Sequence, residues 1–301
     1  MNAIIEIGTN SLKFLVVKLG AELEVVIDET LITRLGEGYV QAQLISEHAF
    51  QRNLNEIEKC ISRAKKLGCA NINIYGTMIF RRANNGKEIV QRIKAETGLS
   101  VEILSGEEEA EYSYLAAIKT LGLSNKNILV IDTGGGSTEF IFGSGEMINY
   151  AKSIDVGAVT LTDKFNLVDQ VENSVLEQCH KYLASELNQI NYRNHLDMII
   201  GIGGTVTTIS AIIQNLVPYE ANKVQGSIIN LEDVTKLQNS LASKNLTEKQ
   251  NISGLSPKRA DIILGGVIII KSILEHHGAN KMIVCDRGLR YGLALKNWRK
   301  K

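Results

Sequence analysis

The chain has 301 residues, 44% of them apolar, with only two prolines and with 33 basic side chains balanced by 33 acidic ones. That composition excludes a disordered or low-complexity chain, and the zero net charge excludes a global field that would recruit nucleic acid or an anionic membrane. No apolar run reaches the roughly 20 residues of a membrane span, and residues 1–16 show no basic leader or cleavage site, so a cytoplasmic protein of two domains of about 150 residues is expected.

Taken in order, three β-rich runs open the chain at 4–9, 11–18 and 23–33. A long amphipathic helix is predicted over 46–67, with Ser46 as N-cap, Gly68 past its end, and Leu54, Ile57, Ile61 and Ala64 at helical spacing. A strand at 72–76, a helical region to Thr97 broken near 84–86, a strand at 101–104 and a helix over 106–119 complete a βββαβαβα half. The polar, turn-rich stretch 121–127 then marks a boundary between an N-terminal domain, 1–122, and a C-terminal domain, 123–301, whose last helix is left free to pack back on the first. The second half restarts with strands at 127–132, 137–143 and 146–154. A helical pattern over 157–187, a strand at 197–201, a helix from about Thr205, further helices, a strand at 281–285 and a closing helix follow. The fold class expected is α/β, a pair of ribonuclease H-like domains facing across a cleft.

The two halves share a motif. VIDTGGGSTEFIF at 130–142 has a fainter copy, IIEIGTNSLKFLV, at 4–16, so that Ile5 meets Ile131, Glu6 meets Asp132, Gly8 meets Gly134, Ser11 meets Ser137 and Phe14 meets Phe140. Each copy reads as a strand ending in a carboxylate, a glycine turn and a second strand. Such a turn presents backbone N–H groups that can wrap a phosphate, and the carboxylate can hold a hard cation beside it. Strand alternation puts Lys13 at the repeat position of Glu139.

Three further stretches are candidates. In SGEEE (105–109), Ser105 and Glu108 form a capping box, which leaves Glu109 as either a solvated acid or a general base. In GTMIFRR (76–82), an arginine near a helix start is disfavoured by the dipole without an anion, so Arg81 is either a phosphate contact or a surface residue. GIGGTVTT (201–208) is a strand-to-helix glycine loop, weak alone but placed where a phosphate loop is expected. The histidines at 48, 180, 195, 276 and 277 lack ligand spacing and a His–Asp pair, and are expected at the surface or in caps. Cys60, Cys69, Cys179 and Cys285 lack zinc-like spacing and are expected as reduced core thiols.

With these stretches, TRLGEG (33–38), GAVTLTDKF (157–165), RADIILGG (259–266) and DRGLRYGLA (286–294) complete an ordered set over nearly the whole chain that resembles the exopolyphosphatase and guanosine pentaphosphate phosphohydrolase (Ppx/GppA) family, in its short two-domain form. The resemblance implies a fold of the actin-like ATPase superfamily and Mg²⁺-dependent hydrolysis of a terminal phosphoanhydride, on polyphosphate or on guanosine pentaphosphate, with other divalent metals admissible. It implies Glu109 as the base activating water, Glu139 as a second catalytic carboxylate, Asp132 with Glu6 as metal ligands, and Arg81 as a phosphate ligand. Asn10, Ser11, Lys13, Gly135, Gly136, Ser137, Gly203, Gly204 and Thr205 complete the expected phosphate contacts. Glu6 stands where the family usually has Asp, Met78 where a small polar residue is common, and Thr160 where Arg is frequent. Exopolyphosphatase is the first expectation and guanosine pentaphosphate hydrolysis the second. An actin-like kinase and a non-catalytic alarmone binder are the competing classes, and a homodimer is left open.

Overall fold

The structure, a computed structural model, describes residues 1–20, 23–123, 126–192 and 194–299. In chain order the elements are β1 (Asn2–Ile7), β2 (Ser11–Leu19), β3 (Leu23–Ile32), α1 (Tyr39–Ala42), α2 (Glu47–Lys66), β4 (Asn71–Gly76), α3 (Met78–Arg82), α4 (Gly86–Thr97), β5 (Val101–Ile103) and α5 (Gly106–Leu121). There follow β6 (Asn127–Thr133), β7 (Thr138–Ser144), β8 (Met147–Ile154), α6 (Ala158–Phe165), α7 (Asn173–Leu187), β9 (Met198–Ile202), α8 (Gly203–Ile213) and α9 (Ala221–Val224). The chain continues through β10 (Ile228–Asn230), α10 (Leu231–Ala242), α11 (Leu246–Gln250), a 3₁₀ turn at Pro257–Arg259, α12 (Ile263–His276), β11 (Lys281–Val284) and α13 (Leu289–Arg299). The residues fall into two compact units, Met1–Tyr112 with Leu289–Lys301, and Ser113–Gly288. The changeover lies inside α5, ten residues before the 122/123 boundary drawn from the polar stretch, so Glu109 and Ser113 on one helix belong to different units.

Unit 1 is one sheet in the order β3-β2-β1-β4-β5, its first three strands antiparallel and β4 and β5 parallel to β1 and to each other. Central β1 is buried at every residue. Helix α2 begins where Ser46 Oγ accepts the Ala49 N–H at 3.2 Å, buries Phe50, Leu54, Ile57 and Ile61 toward β1 and β2, and stops before Gly68 at φ +71. Each such aliphatic side chain taken from water stabilises the unit by about 2 kcal/mol. Helix α13 packs on β1 and β2, and Arg290 and Tyr291 fasten it to Asp28 of β3 through bonds of 2.7, 3.1 and 2.6 Å.

Unit 2 repeats the plan in the order β10-β11-β9-β6-β7-β8, with β6, β9 and β11 parallel. Helix α12 is buried almost all round and packs on α6, α7, α8 and α10. Its paired glycines permit that approach, because a Cβ at Gly265 would lie 2.6 Å from Thr162 Oγ1 of α6, and one at Gly266 would lie 2.5 Å from Thr205 Cγ2 of α8. The helical pattern expected over 157–187 is two helices, since Asn166 at φ +53 ends α6. Strand β10 has three residues, too few for a periodicity to show.

Cys60, Cys179 and Cys285 are buried and unbridged as expected, Cys69 is only half-buried and departs from the core expectation, and α3 is separated from α4 at 83–85. His180 departs from the expectation of surface or cap positions, whereas His277 is the C-cap of α12. His180 lies between Ser272 and Gln238, and His277 packs beside Phe140 and Phe142, where burial pushes its pKa down to about 4. His195 Nε2 also stands 3.5 Å from Asp197 Oδ1, a His–Asp pair that spacing had not suggested. No described helix is long and apolar enough to cross a membrane.

Candidate active site

In unit 2 the hairpin register sets Asp132 directly opposite Glu139, two acids on adjacent strands. Ser137 and Ser153 hydroxyls donate to Glu139 Oε1 at 2.7 and 2.9 Å, and the Ser113 hydroxyl donates to Asp132 Oδ2 at 3.1 Å, which keeps both carboxylates in place. The glycine turn joining them is fastened on its carbonyl side. Gly134 O accepts from Ala158 N, and Gly135 O accepts from Val159 N and Thr160 N, all at the start of α6. A Cβ on Gly157 would sit 2.5 Å from the Gly135 carbonyl carbon, so glycine is needed for this approach. With the carbonyls of Gly134 and Gly135 turned onto the helix, the N–H groups of Gly135 and Gly136 on the same trans peptide planes point away from it, and those amides have no protein acceptor among the described residues. Thr160, at a position where the family often has Arg, accepts from Gly157 N at 2.8 Å and caps α6.

The second glycine loop adjoins the first. Gly203 has φ +88, and a Cβ there would lie 2.5 Å from Asp132 Oδ1, so only glycine serves at this position. Helix α8 starts at this residue, two positions before the predicted start, which brings Gly203, Gly204 and Thr205 into its first turn, where amides lack intrahelical acceptors. The guanidinium of Arg259 covers Gly204, whose Cβ would lie 2.5 Å from Nη1. The residue is half-buried, and desolvation lowers its pKa to about 10. Among the described residues the guanidinium makes no ion pair or side-chain hydrogen bond. The sequence reading had placed Arg259 in a motif without assigning it a role. No local signal marks it, because Arg259 closes the 3₁₀ turn Pro257–Arg259 and α12 starts only at Ile263.

In unit 1 the register sets Glu6 opposite Lys13, the position equivalent to Asp132 and Glu139. The two form an ion pair at 2.6 Å, with side-chain exposures of 13% for Lys13 and 5% for Glu6. The turn itself is conserved in geometry between the copies, because Gly8 N donates to Ser11 O at 2.9 Å as Gly134 N does to Ser137 O at 3.0 Å. Two buried polar atoms here have no partner, Glu6 Oε2 and Asn10 Nδ2. Glu109 is buried on the first turn of α5, beyond the capping box that Ser105 and Glu108 form as expected, and Arg81 bonds both its carboxylate and the Leu104 carbonyl. Arg81 lies in the last turn of the five-residue α3, where the dipole favours a cation, so the helix-start argument for it does not apply. Met78 is buried in the core of the same turn.

A hard cation needs oxygen donors. Among the described residues no group of three or more acidic, histidine or cysteine side chains is arranged to hold a metal. Mg²⁺ commonly takes only one or two carboxylates, with substrate phosphates and water completing its shell. Asp132 suits that role, and so does the orphaned Glu6 Oε2, whose partner oxygen Lys13 occupies.

Residues 15–301 match the Ppx/GppA phosphatase family. The chain is 30% identical to a bifunctional 3-dehydroquinate synthase/phosphatase of Fusobacterium nucleatum over 98% of its own length, and spans 46% of that protein. It is 26% identical to exopolyphosphatase 2 of Mycobacterium tuberculosis over 97% of both chains. To the guanosine-5′-triphosphate,3′-diphosphate pyrophosphatase of Vibrio vulnificus it is 28% identical over 98% of its length, covering 58% of that enzyme. Among solved structures, the PPX-GPPA enzyme of Aquifex aeolicus aligns over 98% of each chain with 29% identity and a TM-score of 0.83.

Proposed function

The chain belongs to the Ppx/GppA phosphatase family, and from that premise we propose that it is an exopolyphosphatase, releasing the terminal phosphate of inorganic polyphosphate. The observation that carries this is Arg259. Its half-buried guanidinium stands over the first turn of α8, where an anion laid over Gly204 would gain a charge-assisted bond together with that turn's amides. The amides of Gly135, Gly136, Gly203 and Gly204 lie on the loops around it and suit phosphate oxygens. Ser137 and Thr205 add hydroxyls, while Asn10, Ser11 and Lys13 form the equivalent set in unit 1.

In the proposed reaction the oxygen of a water bonds to the terminal phosphorus, the bridging P–O bond breaks with its electron pair leaving on the shortened chain, and Glu109 takes the proton. Arg81 fixes the Glu109 carboxylate for that task. Glu139 contributes the second carboxylate beside Asp132. Asp132 in unit 2 and Glu6 in unit 1 are the carboxylates that would hold Mg²⁺, which when bound would supply charge neutralisation to the phosphates.

A second reading keeps these residues and takes guanosine pentaphosphate, which the likeness to the Vibrio vulnificus pyrophosphatase supports. Phosphate release from long-chain polyphosphate with Mg²⁺ tests the first reading. Glu109→Gln, which preserves shape, is expected to lower kcat by about 10²-fold or more with ligand binding retained. Turnover within a few-fold of wild type sinks the assignment of the base.

A further inference from the structure

We propose that Arg52 is a positioning residue for phosphate binding, holding the glycine turn of unit 1 through the loop at 33–37 that it braces. The proposal rests on the phosphohydrolase reading and adds to it the residue that aims the unit 1 amides.

The loop follows β3 and lies against the turn at 8–11. Asn10 O accepts the N–H groups of Thr33 and Arg34 at 3.1 and 3.0 Å, and Thr9 O accepts that of Gly36 at 2.8 Å. A Cβ on Gly36 would overlap Thr9 Cγ2, so the two backbones are in close contact. With the carbonyls of Thr9 and Asn10 taken by the loop, the N–H groups of Asn10 and Ser11 on the same trans peptide planes point the other way. Unit 2 reaches the same arrangement with different parts, since there the carbonyls of Gly134 and Gly135 are taken by the first amides of α6. A helix start brings its own rigidity. A loop does not, and this one is strained, because Arg34 has φ +50, a left-handed backbone that favours glycine.

Arg52 of α2 supplies the rigidity the loop lacks. Its Nε donates to Thr33 O at 2.6 Å and its Nη2 to Arg34 O at 2.9 Å, while buried Asn53 donates from Nδ2 to Thr33 O at 3.1 Å. The carbonyls before and after the strained Cα are therefore both held from one helix, whose apolar face lies in the core of the unit. The guanidinium is also in line with the turn. Thr33 O and Arg34 N belong to one peptide group, and Asn10 O and Ser11 N to another, so a hydrogen-bonded chain runs from the cation through two peptide dipoles to the Ser11 N–H. Bonds in such a chain polarise one another, which strengthens the last donor toward an anion. Asn10 Nδ2, buried and without a partner, is a second donor on the same turn. The remaining contact of Arg52, from Nη2 to Glu37 Oε2 at 2.8 Å, lies at the exposed rim and outside that chain.

The test follows phosphate release from long-chain polyphosphate with Mg²⁺, together with amide hydrogen exchange, for the full chain, Arg52→Ala, Arg52→Lys and Glu37→Ala. Arg52→Ala is expected to raise KM about tenfold and to leave kcat within about threefold, since binding must then order the turn. The amides of Gly8, Thr33, Arg34 and Gly36, bonded in the wild type, should exchange faster in that variant while those of β4 keep their rates. Arg52→Lys, which keeps the charge but reaches only one of the two carbonyls, is expected to fall between, and Glu37→Ala to match the wild type. An unchanged KM, a loss carried by kcat alone, or unchanged exchange at Gly8 and Gly36 overturns the proposal. If Arg52→Ala does not fold, Arg52→Lys decides, and a wild-type KM there overturns it. If the wild type releases no phosphate, the hydrolase reading fails by itself. Calorimetric binding of tripolyphosphate then decides the role of Arg52, and either equal affinity in wild type and Arg52→Ala or no binding to wild type overturns it.

Discussion

The two hairpins share a turn and differ in charge. In unit 1 the paired positions hold Glu6 and Lys13, which neutralise each other, whereas in unit 2 they hold Asp132 and Glu139, two acids supported by serine hydroxyls. The backbone is unaffected, because the turn is closed by the same Gly N to Ser O bond in both. Duplication of a fold therefore leaves the chemistry of each copy to single side chains at one register position. Unit 2 carries the acid pair suited to a cation, and unit 1 carries an ion pair without net charge.

Three experiments press on this contrast. Making unit 2 resemble unit 1 with Glu139→Lys should have the largest effect, a fall in phosphate release of about 10³-fold, equivalent to about 4 kcal/mol of transition-state stabilisation. Mg²⁺ affinity by calorimetry should fall with it, and unchanged turnover would show that the acid pair is dispensable. Removing the neutralising charge in unit 1 with Lys13→Ala leaves Glu6 buried and alone, and should cost about 3 kcal/mol in urea unfolding. A cost below about 1 kcal/mol, the range of an exposed pair, would mean that water already serves Glu6.

The smallest effect concerns acid. His277, against Phe140 and Phe142 of the hairpin strand, has a folded pKa lowered to about 4 from 6.5. Below 6.5 the unfolded chain binds a proton that the folded chain refuses, so stability is complete above that pH and is lost as pH falls toward 4. Between pH 7 and pH 5 the loss should be about 2 kcal/mol, felt in unit 2, and His277→Leu should flatten that slope in urea melts.

Much of this was legible along the chain, for definite reasons. The strand and helix periods of β1, α2, β6 and β7 are long and regular, and Ser46 and Ser105 announce helix starts through side chains that bond the next turn. The internal repeat paired Lys13 with Glu139 before any coordinates, because strand alternation is a local property. Less was visible of the functional neighbourhood. Arg81 was read against a helix start, but a one-turn α3 puts it at a helix end, bonded to Glu109. Arg259 drew no attention alone, since what distinguishes it is its place over Gly204, on a loop far earlier in the chain.

The order of the residues by itself determined the duplicated βββα plan, the two glycine turns and the acids that flank them, because each depends on spacing within a few residues. Only the tertiary structure decided which of those groups are neutralised, which are held by serines and which arginine lies over a glycine loop. Burial and pairing come from strands and helices far apart in the chain, so no local pattern could carry that information.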